Sequence, residues 1–284
     1  MTDTVAAPAR ARDEFVPGTL NYLAMMSERP RYFAKDQSRN VLSLDPRLVN
    51  VVNGRNCATR PSLQQEGIQL LSHSTDVSDF YDRDEVGRIY PAEIRALIQD
   101  ISKADLVVIS SPAILRFSER SPLSGQGVNS HPARFIHNDL SDTSAADLAK
   151  RMLGEDPHAI DSYRRYALYN VWRSFSTPPQ DLPLAVCDAR TIVAADLVRA
   201  DAVFDGMNAP EFSFEGFLLR YNPQHRWVYF PDMGRNEAIM FKTFDSDPNQ
   251  PRLCPHTAFD DPTVPSTSLP RASVEIRACA YFRD

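Results

Sequence analysis

Within Arg134-Phe135-Ile136-His137-Asn138-Asp139 an imidazole and a carboxylate stand two residues apart. The segment reads as the end of a strand, where residues i and i+2 point to the same face. His137 and Asp139 side by side would supply two donors of a 2-His-1-carboxylate set. That set leaves three positions open on a non-haem iron(II): two for a chelating cosubstrate and one for dioxygen. By itself His-x-Asp is weak, since a surface histidine near an aspartate looks the same.

The third donor has to come from elsewhere in the chain. The histidines are His73, His131, His137, His158, His225 and His256. His158 falls at a helix start and His225 in a turn, so both are expected to face solvent. His131 lies too close in sequence to oppose His137, though it can support the donors. His256, in Leu253-Cys254-Pro255-His256-Thr257-Ala258-Phe259, begins an extended segment in the strand-rich half and is the best-placed candidate.

Downstream of it, Arg271, Ser273, Glu275 and Arg277 alternate with Ala272, Val274, Ile276 and Ala278. A solvated polar face explains this pattern, and so does the inside of a barrel. An Arg and a Ser two apart can grip a carboxylate, the Arg by its two-pronged guanidinium and the Ser as a further donor. The distal carboxylate of 2-oxoglutarate is such a target. Arg277 competes with Arg271 for the role, and Glu275 can neutralise either one.

These residues need elements to hold them. Pro is abundant, at 22, and Gly sparse, at 10, which suits rigid loops between short strands. Tyr90–Ile98 reads as a helix with Pro91 early in it, and Ala104–Ser110 as a buried strand. Ser144–Leu153 reads as an amphipathic helix with a Ser cap ahead of it and Gly154 after it. A second helix is expected over about 159–168. Short β-like runs then recur at Leu182–Asp188, Phe217–Tyr221, Trp227–Phe230, Ala238–Phe244 and Ser273–Phe282. The fold expected is mainly β with flanking helices, around a double-stranded β-helix, jelly-roll or cupin-like core. Residues 1–17 are read as disordered or loosely attached, and 18–284 as a single domain.

The order His-x-Asp, distant His, Arg-x-Ser resembles the iron(II)/2-oxoglutarate oxygenases with a double-stranded β-helix. More narrowly, the chain is similar to the CmcJ/NvfI or AsaB-like group, which includes gibberellin desaturase-like proteins. The similar stretches include Asp76–Asp82, His137–Asp139, Tyr169–Arg173, Pro183–Asp188, Glu237–Lys242, Pro255–Phe259 and Pro270–Arg277. The first 60 residues carry little of the likeness. The resemblance implies His137, Asp139 and His256 as iron ligands, and Arg271 with Ser273 as the cosubstrate clamp. It also brings Asn170, Trp172 and Arg173 forward as contacts to cosubstrate or substrate. Without it, Trp172 reads as core and Arg173 as a surface charge. The implied reaction uses Fe(II), 2-oxoglutarate and O2 to hydroxylate or desaturate a small molecule of secondary metabolism, releasing succinate. The long stretch between Asp139 and His256 holds the helical region 144–168, expected to be a lid or a buttress.

A net charge of −6 without a dense Lys/Arg cluster argues against nucleic acid as a partner. Apolar runs such as Leu106–Ile109 are far too short to span a bilayer, and the N-terminus has no segment apolar enough for a signal peptide. A cytosolic protein is therefore expected, with Cys57, Cys187, Cys254 and Cys279 as free thiols. Oligomeric state is not readable. The rival readings are a cupin-like metal enzyme that does not use 2-oxoglutarate and a metal-free β-barrel binding protein. A thiol hydrolase built on Cys187 or Cys254 is the weakest.

Overall fold

Alternating strands form two sheets in a computed structural model that describes residues 14–126, 131–156, 158–204 and 212–283. The chain begins with β1 (Phe15–Leu23), β2 (Arg31–Phe33), β3 (Leu44–Asn53) and β4 (Ile68–Ser72). Helix α1 (Arg83–Ser102) leads to β5 (Leu106–Ile109), β6 (Ile114–Phe117) and the short β7 (His137–Asn138). Helix α2 (Asp142–Arg151) precedes β8 (Arg165–Ser174), β9 (Leu184–Cys187), β10 (Leu197–Phe204) and β11 (Phe212–Leu219). The last strands are β12 (Trp227–Tyr229), β13 (Glu237–Asp245), β14 (His256–Ala258) and β15 (Ala272–Phe282).

The larger sheet runs β1-β3-β12-β9-β14-β7-β11-β10-β2, and the smaller runs β4-β13-β8-β15-β5 with β6 also paired to β15. One apolar cluster joins Leu184, Val186 and Val228 of the larger sheet to Trp172, Ile239 and Phe241 of the smaller, so the sheets face each other. The fold is mainly β with a jelly-roll core, as expected. What alternation puts inside β8 and β15 is set by this facing. Asn170 and Trp172, with Arg271, Ser273, Glu275 and Arg277, look inward. Tyr169, Val171, Val274, Ile276 and Ala278 look outward, under α1.

α1 buries Val86, Tyr90, Ile94 and Ile98, a four-residue spacing that makes one stripe. Asp82 caps it, accepting from the backbone N–H of Asp84 and Glu85 at 3.0 Å each. The helix thus starts earlier than Tyr90, and Pro91 is internal; the carbonyl it frees belongs to Gly87, which is exposed. α2 starts at Asp142, earlier than expected, and is capped by a Ser ahead of Ser144, namely Ser141, while Ser144 closes the capping box. Its Ala145 and Ala149 pack on Leu168, Cys279 and Tyr281, so it buttresses the sheet.

The helix expected over 159–168 is not there. A 3-10 turn at Ala159–Ser162 is followed by β8, because Tyr166, Leu168, Asn170 and Trp172 alternate with Ala167, Tyr169, Val171 and Arg173 along a ten-residue strand. At the start of the chain β1 already begins at Phe15, where Val16 is buried against Val51 and Phe259, so residues 15–17 belong to the sheet. Residues 1–13 of the stretch expected to be loose lie outside those described.

Candidate metal and cosubstrate site

β7 and β14 are neighbours, and their register sets His137 opposite His256. The two rings lie 4.4 Å apart, and His256 also packs edge-on to Phe241, 4.7 Å away. Asp139 follows on the same face, with its Oδ1 3.8 Å from His137 Nε2. One possible ligand atom from each of His137, Asp139 and His256 falls within 4.8 Å of the others, and all three residues are buried. Gly216 makes this packing possible. A Cβ there would sit 2.8 Å from the Asp139 carbonyl oxygen, so β11 can approach the donor strand only as glycine.

The donor chemistry fits a divalent metal. His137 Nδ1 lies 3.1 Å from the Phe135 carbonyl, and His256 Nδ1 lies 3.2 Å from the Cys254 carbonyl. A carbonyl only accepts, so each Nδ1 carries the proton and each Nε2 keeps its lone pair for a ligand. Burial pushes the His137 imidazole down to about 3, and it lowers His256 as well, so both rings are neutral at pH 7. Burial alone would raise the Asp139 carboxyl. The Arg277 guanidinium outweighs that and holds it below its ordinary value, as a carboxylate.

Arg277 reaches Asp139 with Nε at 3.0 Å and Nη2 at 3.1 Å, and gives a further bond to Glu275 at 2.7 Å. Glu275 also accepts from Arg116 at 2.9 Å. These two guanidinium groups outweigh burial and hold Glu275 well below the carboxylate range. Arg277 is therefore engaged with acids on both sides.

Arg271 differs. It is buried, with Nη1 on the Leu182 carbonyl at 2.7 Å and its guanidinium carbon 5.6 Å over the Trp172 ring. Among the described residues its Nε has no partner and no carboxylate bonds to its side chain. Burial and the nearby Arg116 push it down to about 10, still charged at neutral pH. Arg271 shares a small cavity with Trp172, Leu184, His256, Thr257 and Glu275. A buried cation with unused donors, beside a group that could hold a metal, has the chemistry to receive a carboxylate.

Two expected contacts come out differently. Ser273 is fully buried, but its hydroxyl donates to the Arg116 carbonyl at 3.3 Å, where β15 pairs with β6, so it is not a free second donor. Arg173 lies on the outer face of β8, because its neighbour Trp172 is inside. It bonds to the Arg235 carbonyl at 2.7 Å and to His73 Nδ1, and it lies over Tyr90 of α1. Asn170 is inside, opposite Arg277 and Phe241, with no partner among the described residues at either end of its amide.

His158 is exposed as expected, with its side chain 84% accessible. His225 is not: its side chain is 1% accessible, bonded to Asp196 at 3.0 Å and stacked on Tyr22. Sequence reading missed Arg116 altogether. The only signal was a charge inside the apolar run Ile114-Leu115-Arg116-Phe117. The cysteines are unpaired, with Cys187, Cys254 and Cys279 buried. No helix among the described residues is long and apolar enough to cross a membrane.

The chain is similar to several known proteins. A family model described as "Oxidoreductase/YMDC permease-like domain" matches residues 20–281. The Fe(II)/2-oxoglutarate-dependent dioxygenase nvfI of Aspergillus novofumigatus is 31% identical over 193 residues, 68% of this chain and 66% of that protein. An alpha-ketoglutarate-dependent dioxygenase, phiK, of a fungal species is 25% identical over 231 residues, 78% of this chain and 79% of that one. A solved structure of an iron and alpha-ketoglutarate-dependent endoperoxidase, NvfI, superposes with a TM-score of 0.81 at 24% identity, covering 95% of this chain and 99% of that one.

Proposed function

The chain belongs to the Oxidoreductase/YMDC permease-like family and is an iron(II)- and 2-oxoglutarate-dependent dioxygenase, and on that premise we propose which residues do the work. His137, Asp139 and His256 hold the iron, and Arg271 receives the distal carboxylate of 2-oxoglutarate. The observation that carries this reading is a buried arginine with unused donors in the cavity that His256 lines. Iron(II), when bound, supplies the redox chemistry by which dioxygen oxidises 2-oxoglutarate to succinate and carbon dioxide and a substrate C–H bond is oxidised.

The chain's own residues set the conditions for this. The Phe135 and Cys254 carbonyls fix both imidazole tautomers. Arg277 keeps Asp139 ionised and oriented, and Glu275 ties Arg277 to Arg116. Trp172 forms an apolar floor under Arg271, where a charge-assisted bond is stronger than in water. The substrate is a small molecule of secondary metabolism, which is hydroxylated or desaturated, and the enzyme works in the cytosol without nucleic acid.

Anaerobic addition of iron(II) and 2-oxoglutarate should give a metal-to-ligand charge-transfer band in the visible spectrum. His256→Ala and Asp139→Ala should abolish it. A band of wild-type intensity in either variant would remove these residues from the ligand set. A reading as a metal enzyme that ignores 2-oxoglutarate has no use for Arg271, and the relatives speak against it.

A further inference from the structure

Asp139 and Arg277 also form part of the wall of a second chamber, of about 600 Å³, larger than the cavity at Arg271. It lies between the start of α1, the loop from β5 to β6, α2 and the β10–β11 pair. Its size is that of a site for a whole organic molecule.

Most of the wall is hydrocarbon. Phe204 is central to one side: its ring stacks on Phe212 at 5.0 Å and 9°, and on Phe214 at 5.4 Å and 27°. Such a stack offers a flat apolar face to a flat ligand. Within the wall, Ser111 Oγ is buried and has no partner among the described residues, marking a place for one polar group. At the rim stand Arg83, at the start of α1, and Arg151, at the end of α2, both exposed. Among the described residues neither is paired with a carboxylate, and the one acid lining the chamber, Asp139, is already held by Arg277.

We propose that this chamber binds a hydrocarbon-rich carboxylic acid with a flat face, the face on Phe204, Phe212 and Phe214 and the carboxylate at Arg83 and Arg151. The proposal rests on the oxygenase reading, because the chamber is the space beside Asp139 in which a C–H bond would be presented to the metal. The two rim cations then fix which end of the molecule is far from the metal, and so which carbon is near it. A neutral hydrocarbon would leave both guanidinium groups without a role.

The test uses two fluorescent probes with one skeleton. 1-Anilinonaphthalene-8-sulfonate carries an anion, and N-phenyl-1-naphthylamine lacks it. Both are titrated into the full chain loaded anaerobically with iron(II) and 2-oxoglutarate. Arg83→Gln with Arg151→Gln should weaken the sulfonate by roughly tenfold and leave the neutral probe within about twofold. High salt should reproduce that difference. Gly87→Trp should weaken both probes, since Gly87 lines the chamber and a Cβ there meets nothing within 4 Å.

Equal effects of the double variant on both probes, or none on either, would overturn the anionic end. Undiminished binding in Gly87→Trp, or no binding of either probe to the wild type, would overturn the chamber as a ligand site. The charge-transfer band is recorded on the same samples. Its absence in the wild type, with the probe difference intact, would reject the oxygenase reading while supporting the chamber.

Discussion

Arg173 and Arg271 are two arginines of the smaller sheet, both buried, both with an unpartnered Nε and neither paired with an acid among the described residues. Arg173 faces outward, its guanidinium held by the Arg235 carbonyl, His73 and the face of Tyr90 beneath α1. Arg271 faces inward, held by one carbonyl and Trp172, next to His256. Burial and lack of an acid do not by themselves mark a functional arginine. What separates the two is what they face: one completes the packing between helix and sheet, the other has donors left over beside the proposed metal ligands. The same division runs along β15, where Val274 and Ile276 pack outward while Glu275 and Arg277 point in, as does Arg271 just before the strand.

Changing inner and outer residues of β15 should therefore break different properties. The largest stability effect is expected inside, at Glu275→Gln. Arg116 and Arg277 would lose the carboxylate they share, at a cost of about 3–5 kcal/mol in chemical denaturation at pH 7. The acid limb follows from the sign of the shift. Glu275 has a folded pKa below its unfolded value, so its contribution is complete above the unfolded pKa and disappears as pH falls through the folded one. The variant's stability should depend less on pH below about 4.3 than the wild type's does. An unchanged acid limb would show that Glu275 is not held as described.

On the outer face, Ile276→Ala should cost about 2–5 kcal/mol by opening a cavity under α1. Its apparent affinity for 2-oxoglutarate should stay within about twofold. A large loss of cosubstrate affinity in this variant would erase the division between the faces. The smallest effect is on labelling. Burial pushes Cys254 and Cys279 up to about 12, so iodoacetamide at pH 8 should label Cys57 and leave these two intact in the folded protein. Rapid labelling of Cys254 with loss of turnover would bring back a thiol mechanism.

Much of this was legible because strand parity is strict. His137 with Asp139, and Arg271 through Arg277, share faces for the same reason, and the sequence alone carries it. Which face is inside was not legible. Val274 and Ile276 on one side and Arg271 and Glu275 on the other are all buried, because α1 covers the face that a two-layer barrel would leave to solvent. Parity also ruled on Arg173 once Trp172 was known to be inside. The segment 159–168 misled because its apolar residues suit either period, and only the pairing of β8 with β13 and β15 decides for a strand. His225 looked like a turn residue; the Asp196 and Tyr22 side chains that bury it come from distant parts of the chain.

The division between the faces is tested most directly by the dissociation constant for 2-oxoglutarate, measured anaerobically on the iron(II) protein for wild type, Arg271→Met and Arg173→Met. Loss of a charge-assisted pair at Arg271 should weaken binding by roughly a hundredfold. Arg173→Met should remain within about twofold of wild type. Wild-type affinity in Arg271→Met, or an equal loss in both variants, would contradict the assignment of Arg271 as the group that holds the cosubstrate.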